Sequence, residues 1–249
     1  MDCRSVGVEI KTMPIEPYVV LENGLELANW DKDCEVAYNQ QLRHKQKLGF
    51  YRDAFEFVYT HKLAGDYYEF GCHKARTFRM ALTEARKKNF VDMNFFAFDS
   101  FEGLPDLKNN FEHNLVYGHG VLSTAESSFM DIIKEHGLYV KKVQTIKGFY
   151  QDSLNVTLKN TLKDKNSKIA FVVLDCSLYD SFVSAFEFIE DFLQEGSIIY
   201  IDDYRVTFGG SPIKGAPKAF KEFAAKSKFK YEPFLDVGWF GKSFITYNE

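Results

Sequence analysis

The chain has 249 residues and a formal net charge of −4, with 45% hydrophobic and 27% charged residues, which fits one large soluble α/β domain with a small appendage. The slight acidity and the lack of an Arg-rich face argue against a nucleic-acid partner, and no apolar run approaches the length of a membrane span. The start MDCRSVGVEI lacks the basic head and apolar centre of a signal peptide, and Cys3, Cys34, Cys72 and Cys176 show no zinc or disulfide spacing, so they read as free thiols of a cytoplasmic protein.

Residues 1–35 stand outside the βα pattern that follows. Within them Asn23-Gly24, between alternating apolar residues, predicts a type I′ hairpin that covers a site or contacts a second subunit. Residues 36–249 then form one domain. From Glu35 to His61 the period is helical, with Phe50, Ala54, Phe55 and Val58 as its apolar stripe. Gly65 introduces a first strand, Tyr67 to Phe70. Glu69-Phe70-Gly71-Cys72-His73-Lys74-Ala75-Arg76-Thr77-Phe78 turns into a helix reaching about Lys88. An acid and a glycine at a strand–helix turn suit a nucleotide site, because glycine lets backbone approach a ligand. A tight turn without a ligand uses the same residues, and the three spaced glycines of a dinucleotide fingerprint are absent.

The next strand, Asn94 to Phe98, ends at Asp99 in FDSFEGLP. An acid there is placed to accept hydrogen bonds from two ribose hydroxyls, or to close an Asx-turn before Gly103 and Pro105. Residues 106–123 are polar and irregular and carry His113 and His119, as a substrate lid would. Thr124 is expected to cap a helix reaching His136. Val143 to Ile146 is a third strand, leading into Lys147-Gly148-Phe149-Tyr150-Gln151-Asp152-Ser153-Leu154.

The most informative stretch runs from Ile169 to Tyr204. An apolar run, Ile169 to Leu174, stops at Asp175; a helical segment, Tyr179 to Leu193, ends before Gly196; a second apolar run, Ile198 to Ile201, stops at Asp202-Asp203. Short β-branched runs separated by a helix are the buried parallel strands of a βαβ unit. A right-handed crossover puts both carboxyl ends on one edge, where open α/β sheets bind their ligands. Asp175, Asp202 and Asp203 therefore converge. Three close carboxylates raise one another's pKa unless a cation sits among them, and a hard divalent ion is the simplest resolution. For any one of them, a helix cap or a solvated turn is the alternative. A Gly-containing, lid-like turn, Arg205 to Lys214, a helix, Ala216 to Ala225, and two strands, near Tyr231 to Phe234 and Ser243 to Tyr247, complete the chain.

This order of elements, with EFG, FDSFEGLP, KGFYQDSL, LDCSLYDS, IDDY and GAPKAFKEF at its turns, resembles class I S-adenosylmethionine-dependent methyltransferases. Within them it is most similar to the macrocin, mycinamicin and novobiocin sugar O-methyltransferases. The resemblance implies a Rossmann-like fold with a seven-stranded, mostly parallel sheet and helices on both faces. It places Glu69, Gly71, Arg76 and Thr77 on the cofactor loop, Asp99 and Ser100 on the ribose turn, and Gly148 and Phe149 beside the adenine. Asp175, Asp202 and Asp203 fall on the ligands of Mg²⁺ or Mn²⁺, and Asp175 also on the position of the base, next to the cofactor. His113, His119, Tyr179 and Tyr204 are expected at the sugar.

Two departures stand out. Ala75 and Arg76 replace the loop's usual second glycine, with Arg76 placed to pair with the cofactor's carboxylate, and Ser177 replaces the second acid of the D-x-D-L-Y motif. The implied reaction is metal-assisted methyl transfer to a sugar hydroxyl by a homodimer or larger homo-oligomer. The Lys- and Phe-rich, Ala-poor composition suggests an AT-rich genome and with it a surface-polysaccharide pathway; a nucleotide-activated heptose or deoxyhexose of a capsule is the expected acceptor, with natural-product sugars also open. A catechol-type O-methyltransferase and a non-catalytic binding protein of the same fold are the alternatives. Retention of all three carboxylates argues against the second.

Overall fold

The computed structural model describes residues 32–105, 122–209 and 211–248. The chain forms two compact units, residues 1–45 and 46–249. The hairpin expected at Asn23-Gly24 lies outside the described residues. Helix α1 (Lys32–Thr60) begins in the first unit. In the second unit it is followed by β1 (Asp66–Phe70), α2 (Arg76–Lys87), β2 (Phe95–Asp99), α3 (Glu126–His136), β3 (Val143–Lys147), α4 (Tyr150–Ser153) and α5 (Val156–Asp164). Then come β4 (Ile169–Leu174), α6 (Tyr179–Ile189), β5 (Ile198–Ile201), α7 (Gly215–Ala224), β6 (Lys230–Val237) and β7 (Gly241–Tyr247). The seven strands lie in the order β3-β2-β1-β4-β5-β7-β6. The first five are mutually parallel, and β7 runs antiparallel to β5 and β6. This is the Rossmann-like, mostly parallel sheet that the sequence implies.

Strands covered on both faces read as continuous apolar runs, and alternate residues divide between two cores. Tyr67, Phe95, Phe171, Val173 and Tyr200 share a core with Tyr51 and Phe55 of α1, Phe78 of α2 and Phe129 of α3. Tyr68, Phe70, Phe98, Val172 and Ile199 share the other with Phe182 and Phe186 of α6 and Phe220 of α7. Aromatic rings do much of the filling. Phe70 stacks on Phe98 with centroids 4.3 Å apart, and Phe220 on Phe244 at 4.0 Å. Such pairs are worth about 0.5–1.5 kcal/mol beyond the area they bury.

Several local features differ from the sequence expectation. Helix α5 was not anticipated; Asn155 caps it, accepting from Leu158 N at 3.0 Å. Thr124 does not cap α3, because Ala125 holds the N-cap position and the Thr124 hydroxyl instead meets His73 Nδ1 at 2.9 Å. Helix α6 stops at Ile189 rather than Leu193. The stretch after β5 contains a pinned segment: buried Thr207 donates to Asp203 O at 3.1 Å and accepts from Ala216 N at 2.9 Å, which ties the turn to the start of α7.

One acid interrupts the apolar strands. Glu69 of β1 is fully buried, and its carboxylate accepts from the Tyr67 hydroxyl and, at 2.7 Å, from the Thr77 hydroxyl of α2. Burial pushes its carboxyl from the ordinary 4.5 up to about 7, against the opposing pull of those hydrogen bonds and of Lys47. A raised acid stabilises the fold as the neutral form. That contribution is complete below pH 4.5 and is lost as pH rises to about 7. Glu69→Gln keeps the shape without the ionisation. Its stability relative to wild type, from urea unfolding at a series of pH values, should therefore rise across this window, by at most about 1.4 kcal/mol per pH unit, and level off above it. Parallel stability curves for the two proteins would show that Glu69 does not titrate there.

Candidate active site

Strand order reverses between β1 and β4, so the crevice beyond their carboxyl ends is the switch point of the sheet. The parallel ladder continues one step past the strands. Gly148 N donates to Asp99 O at 3.0 Å, Gly71 N to Phe98 O at 2.9 Å, Asp175 N to Phe70 O at 2.9 Å, and Asp202 N to Leu174 O at 3.0 Å. These bonds set the turns after β1, β2, β3, β4 and β5 in one row along the edge. At the centre of the row Gly71 has φ 86°, and a Cβ on it would lie 2.3 Å from the Asp175 carbonyl oxygen. The neighbouring chain itself demands a glycine here.

Beyond β4 and β5, Asp175, Asp202 and Asp203 each offer a carboxylate oxygen, all within 4.8 Å of one another. Asp202 and Asp203 are buried, whereas the Asp175 side chain is 27% exposed. The sequence reading missed a fourth member, Lys47 of α1. Its buried ammonium lies 2.5 Å from Asp202 Oδ2 and 3.6 Å from Asp175 Oδ2, while the Tyr200 hydroxyl donates to Asp202 Oδ1. Burial acts to lower the Lys47 pKa, but the charges of Asp175 and Asp202 outweigh it and hold the group above the ordinary lysine value. Burial, followed by Asp202, raises Asp175, with Lys47 opposing. Three carboxylates gathered in this way supply the oxygen ligands of a hard divalent ion. The residues present fit such an ion. The available signal for Lys47 was its place on the buried stripe of α1, one turn before Phe50 and Tyr51.

The cofactor end is organised by Asp99. Its Oδ2 accepts from Cys72 N at 2.7 Å and His73 N at 3.2 Å, and its Oδ1 from Phe101 N at 2.7 Å. The last bond is the Asx-turn that the sequence allowed. Three of about four acceptor positions on the carboxylate are thus engaged by backbone. The Ser100 hydroxyl donates to Gly103 O at 2.7 Å and closes its own turn. Glu69 and Thr77, bonded to each other, shape the loop from inside the core. Ala75 is fully buried with φ 55° and ψ 25°, so the backbone keeps the left-handed conformation that suits a glycine. Arg76 opens α2 and is partly exposed. Gly148, with φ 135°, and Phe149 lead from β3 into α4. Cys72 and Cys176 are buried free thiols, which burial pushes up in pKa.

The expected sugar-site residues fare differently. The Tyr179 hydroxyl donates to Glu222 of α7, and Lys218 Nζ stands 4.6 Å from the centre of its ring. Tyr204, next to Asp203, is half-buried with its ring 6.1 Å from that of Phe244. His113 and His119 lie outside the described residues.

Among the described residues no helix is long and apolar enough to cross a membrane. The fold is similar to that of the O-methyltransferase NovP, at 18% identity and a TM-score of 0.68, covering 82% of this chain and 80% of that one. It is similar to CalS11, a calicheamicin methyltransferase, at 16% identity and a TM-score of 0.64, covering 91% and 87%. An apo structure of CalS11, a TDP-rhamnose 3′-O-methyltransferase of calicheamicin biosynthesis, matches at 15% identity and a TM-score of 0.54, covering 91% and 88%. At such identities the likeness is one of fold. No curated protein matches the chain by sequence. The model of the macrocin-O-methyltransferase (TylF) family matches residues 32–244, a span that runs from α1 through β6 into β7, and the chain belongs to that family.

Proposed function

We propose that the chain methylates a hydroxyl of a nucleotide-activated deoxyhexose or heptose, with S-adenosylmethionine as donor and Mg²⁺ or Mn²⁺ held by Asp175, Asp202 and Asp203. The observation that carries this reading is the convergence of three carboxylate oxygens within 4.8 Å on the same sheet edge as the Gly71 and Asp99 turns. Membership of a family of O-methyltransferases supports the reaction, and the likeness to a TDP-rhamnose O-methyltransferase supports the acceptor class. A surface polysaccharide remains our proposed destination for the product.

S-adenosylmethionine supplies a methyl group on a cationic sulfur: its carbon gains a bond to the sugar oxygen as the carbon–sulfur electron pair leaves with the sulfur. A divalent ion held by Asp175, Asp202 and Asp203 would supply Lewis acidity that lowers the pKa of the substrate hydroxyl. Asp175 is the most exposed of the three, and its backbone lies against the Gly71 turn, which supports it as the group that takes the hydroxyl proton. Asp202 and Asp203, buried, fix the position of the negative charge. Asp99 orders the loop around Cys72 and His73 and offers its remaining acceptor capacity to the ribose. The segment at Gly148 and Phe149 borders the adenine, and Tyr204 the sugar.

Asp99→Ala removes a partner from three backbone N–H groups as well as from the ribose. It should lower the melting temperature and weaken S-adenosylmethionine binding at least tenfold, since each bond to a charged group is worth about 1.5–3 kcal/mol. Asp99→Asn retains Oδ1 for the Asx-turn but sets an amide NH2 against Cys72 N and His73 N, so it should restore only part of the thermal stability and not the affinity. Calorimetry that finds wild-type affinity in the Asn variant would limit Asp99 to the turn.

The metal assignment is tested with a panel of nucleotide sugars and mass spectrometry of the products. Asp202→Asn should lose activity that raised Mg²⁺ partly restores. Asp175→Asn removes ligand and base together, so kcat should fall by roughly 10²–10⁴ and stay low at any metal concentration. Undiminished turnover in excess chelator would remove the metal from the mechanism, and methylation of a catechol but of no sugar would overturn the acceptor class.

A further inference from the structure

Lys47 belongs to neither the cofactor loop nor the acidic strand ends, yet its ammonium lies within 4 Å of two of the three aspartates. Its side chain is 8% exposed, and it approaches the cluster from α1, on the helical face that also delivers Phe50 and Tyr51 to the core. Asp202, 2% exposed, has both carboxylate oxygens engaged by protein donors: Oδ2 by Lys47 Nζ at 2.5 Å and Oδ1 by the Tyr200 hydroxyl. Asp175 Oδ2 is 3.6 Å from the same ammonium. A cation entering among these oxygens takes an Asp202 oxygen already engaged by Lys47 or by Tyr200, and in either case it feels the ammonium's positive charge across a few ångströms of largely buried protein.

We propose that Lys47 is a positioning residue that serves as a resident cation of the acidic cluster, holding Asp175 and Asp202 together before metal arrives and competing with the divalent ion for Asp202. The proposal rests on the reading of the three aspartates as metal ligands. A fixed charge accounts for the geometry, since the ammonium is paired at every contact that places it in the site. Two consequences follow in opposite directions. Without metal, removing the ammonium leaves buried carboxylates that repel one another, which destabilises the fold. With metal, the same removal strengthens binding, because a like charge next to the ion is gone. A lysine with a merely structural role would give the first effect and not the second, because a loosened site binds metal more weakly.

The test is calorimetric titration of the full chain with Mn²⁺ alone, with the Mn²⁺ electron paramagnetic resonance signal as a second measure of bound ion and thermal melting with and without Mn²⁺. Lys47→Met keeps most of the stem and removes the charge. Its melting temperature should fall in chelator, its gain on adding Mn²⁺ should exceed that of wild type, and its Mn²⁺ affinity should be roughly tenfold tighter or more. If Lys47→Met does not fold in chelator, it is prepared in Mn²⁺, and Lys47→Gln, which retains a hydrogen-bond donor, carries the titration with the same expected direction. Lys47→Arg keeps the charge and should show no tightening. Equal or weaker Mn²⁺ binding in both neutral variants, with wild type binding normally, overturns the role of Lys47 and leaves the metal site standing. Binding in the neutral variants but not in wild type supports Lys47 as the cluster's permanent cation and removes the metal from the wild-type reaction. Binding in none of the proteins overturns both.

Discussion

Charge compensation at the carboxyl edge of β4 and β5 is the constraint on which the site depends. Burying an unpaired carboxylate costs several kcal/mol, and three of them with oxygens within 4.8 Å of one another cannot all remain ionised without cations. The chain supplies one of those cations itself. Lys47 pairs with Asp202 and stands within reach of Asp175, so a cation of the chain itself already answers part of the cluster's negative charge. That alters what the acidic motif means. It is a partly neutralised cluster, and the neutralising group arrives on a helix more than a hundred residues away in sequence, as the Lys47–Asp202 separation of 155 shows.

The same contacts fix the geometry. Phe50 of α1 lies 4.5 Å from the ring of Tyr200, and the Tyr200 hydroxyl bonds Asp202, so the helix packs on the residue that orients the carboxylate. On the other side of β5, Gly241 opens β7 where a Cβ would come within 2.7 Å of the Tyr200 ring and hydroxyl. Arg205, two residues past Asp203, donates from its backbone to Phe240 O at 2.8 Å and from its guanidinium to Asp236 at 2.9 Å. The turn bearing the two aspartates is therefore held by a helix from one face and by the antiparallel β6–β7 pair from the edge. A site meant to place oxygens within tenths of an ångström needs such support, because its side chains are oriented by what packs against them.

Much of this was legible in the sequence, for a definite reason. Continuous apolar runs such as IAFVVL and IIYI admit one reading when each stops at an acid, and the right-handed crossover then brings the acids together. The parallel pairing of β4 with β5 and the convergence of Asp175 with Asp202 and Asp203 follow from those local patterns. What escaped has a common character: it depends on which side chain meets which across the fold. Lys47 stands on the apolar stripe of α1, one turn before Phe50 and Tyr51, but that place alone does not say that it meets Asp202 across the fold. Thr124 looks like a cap, yet its hydroxyl is engaged by His73, a residue 51 positions earlier. Glu69 matches a ligand-binding position, but alternation along β1 turns its carboxylate inward to Tyr67 and Thr77. Helix α5 was overlooked because its only strongly buried residue is Leu162, which leaves little periodic signal.

The two glycine positions of the cofactor loop show how a departure from a family pattern should be weighed. At Gly71 the obstacle to a side chain is another strand's backbone: a Cβ would sit 2.3 Å from the Asp175 carbonyl oxygen, and neither chain can yield without moving the row of turns. At Ala75 the backbone is left-handed as well, but the methyl group is accommodated in the core with no exposed surface. The cost there is conformational, about 1–2 kcal/mol, a size that the aromatic core between β1 and α2 can offset. The first glycine is thus fixed by contact and the second only preferred by conformation. Replacing the second leaves the loop's path, the Asp99 bonds to Cys72 and His73, and the approach to the acidic cluster intact. The alanine is therefore no argument for a fold that has kept its shape and lost its chemistry. The carboxylates are the better witnesses, since a protein that only bound a partner would gain nothing from burying Asp202 and Asp203 beside Asp175 and then committing a lysine to them.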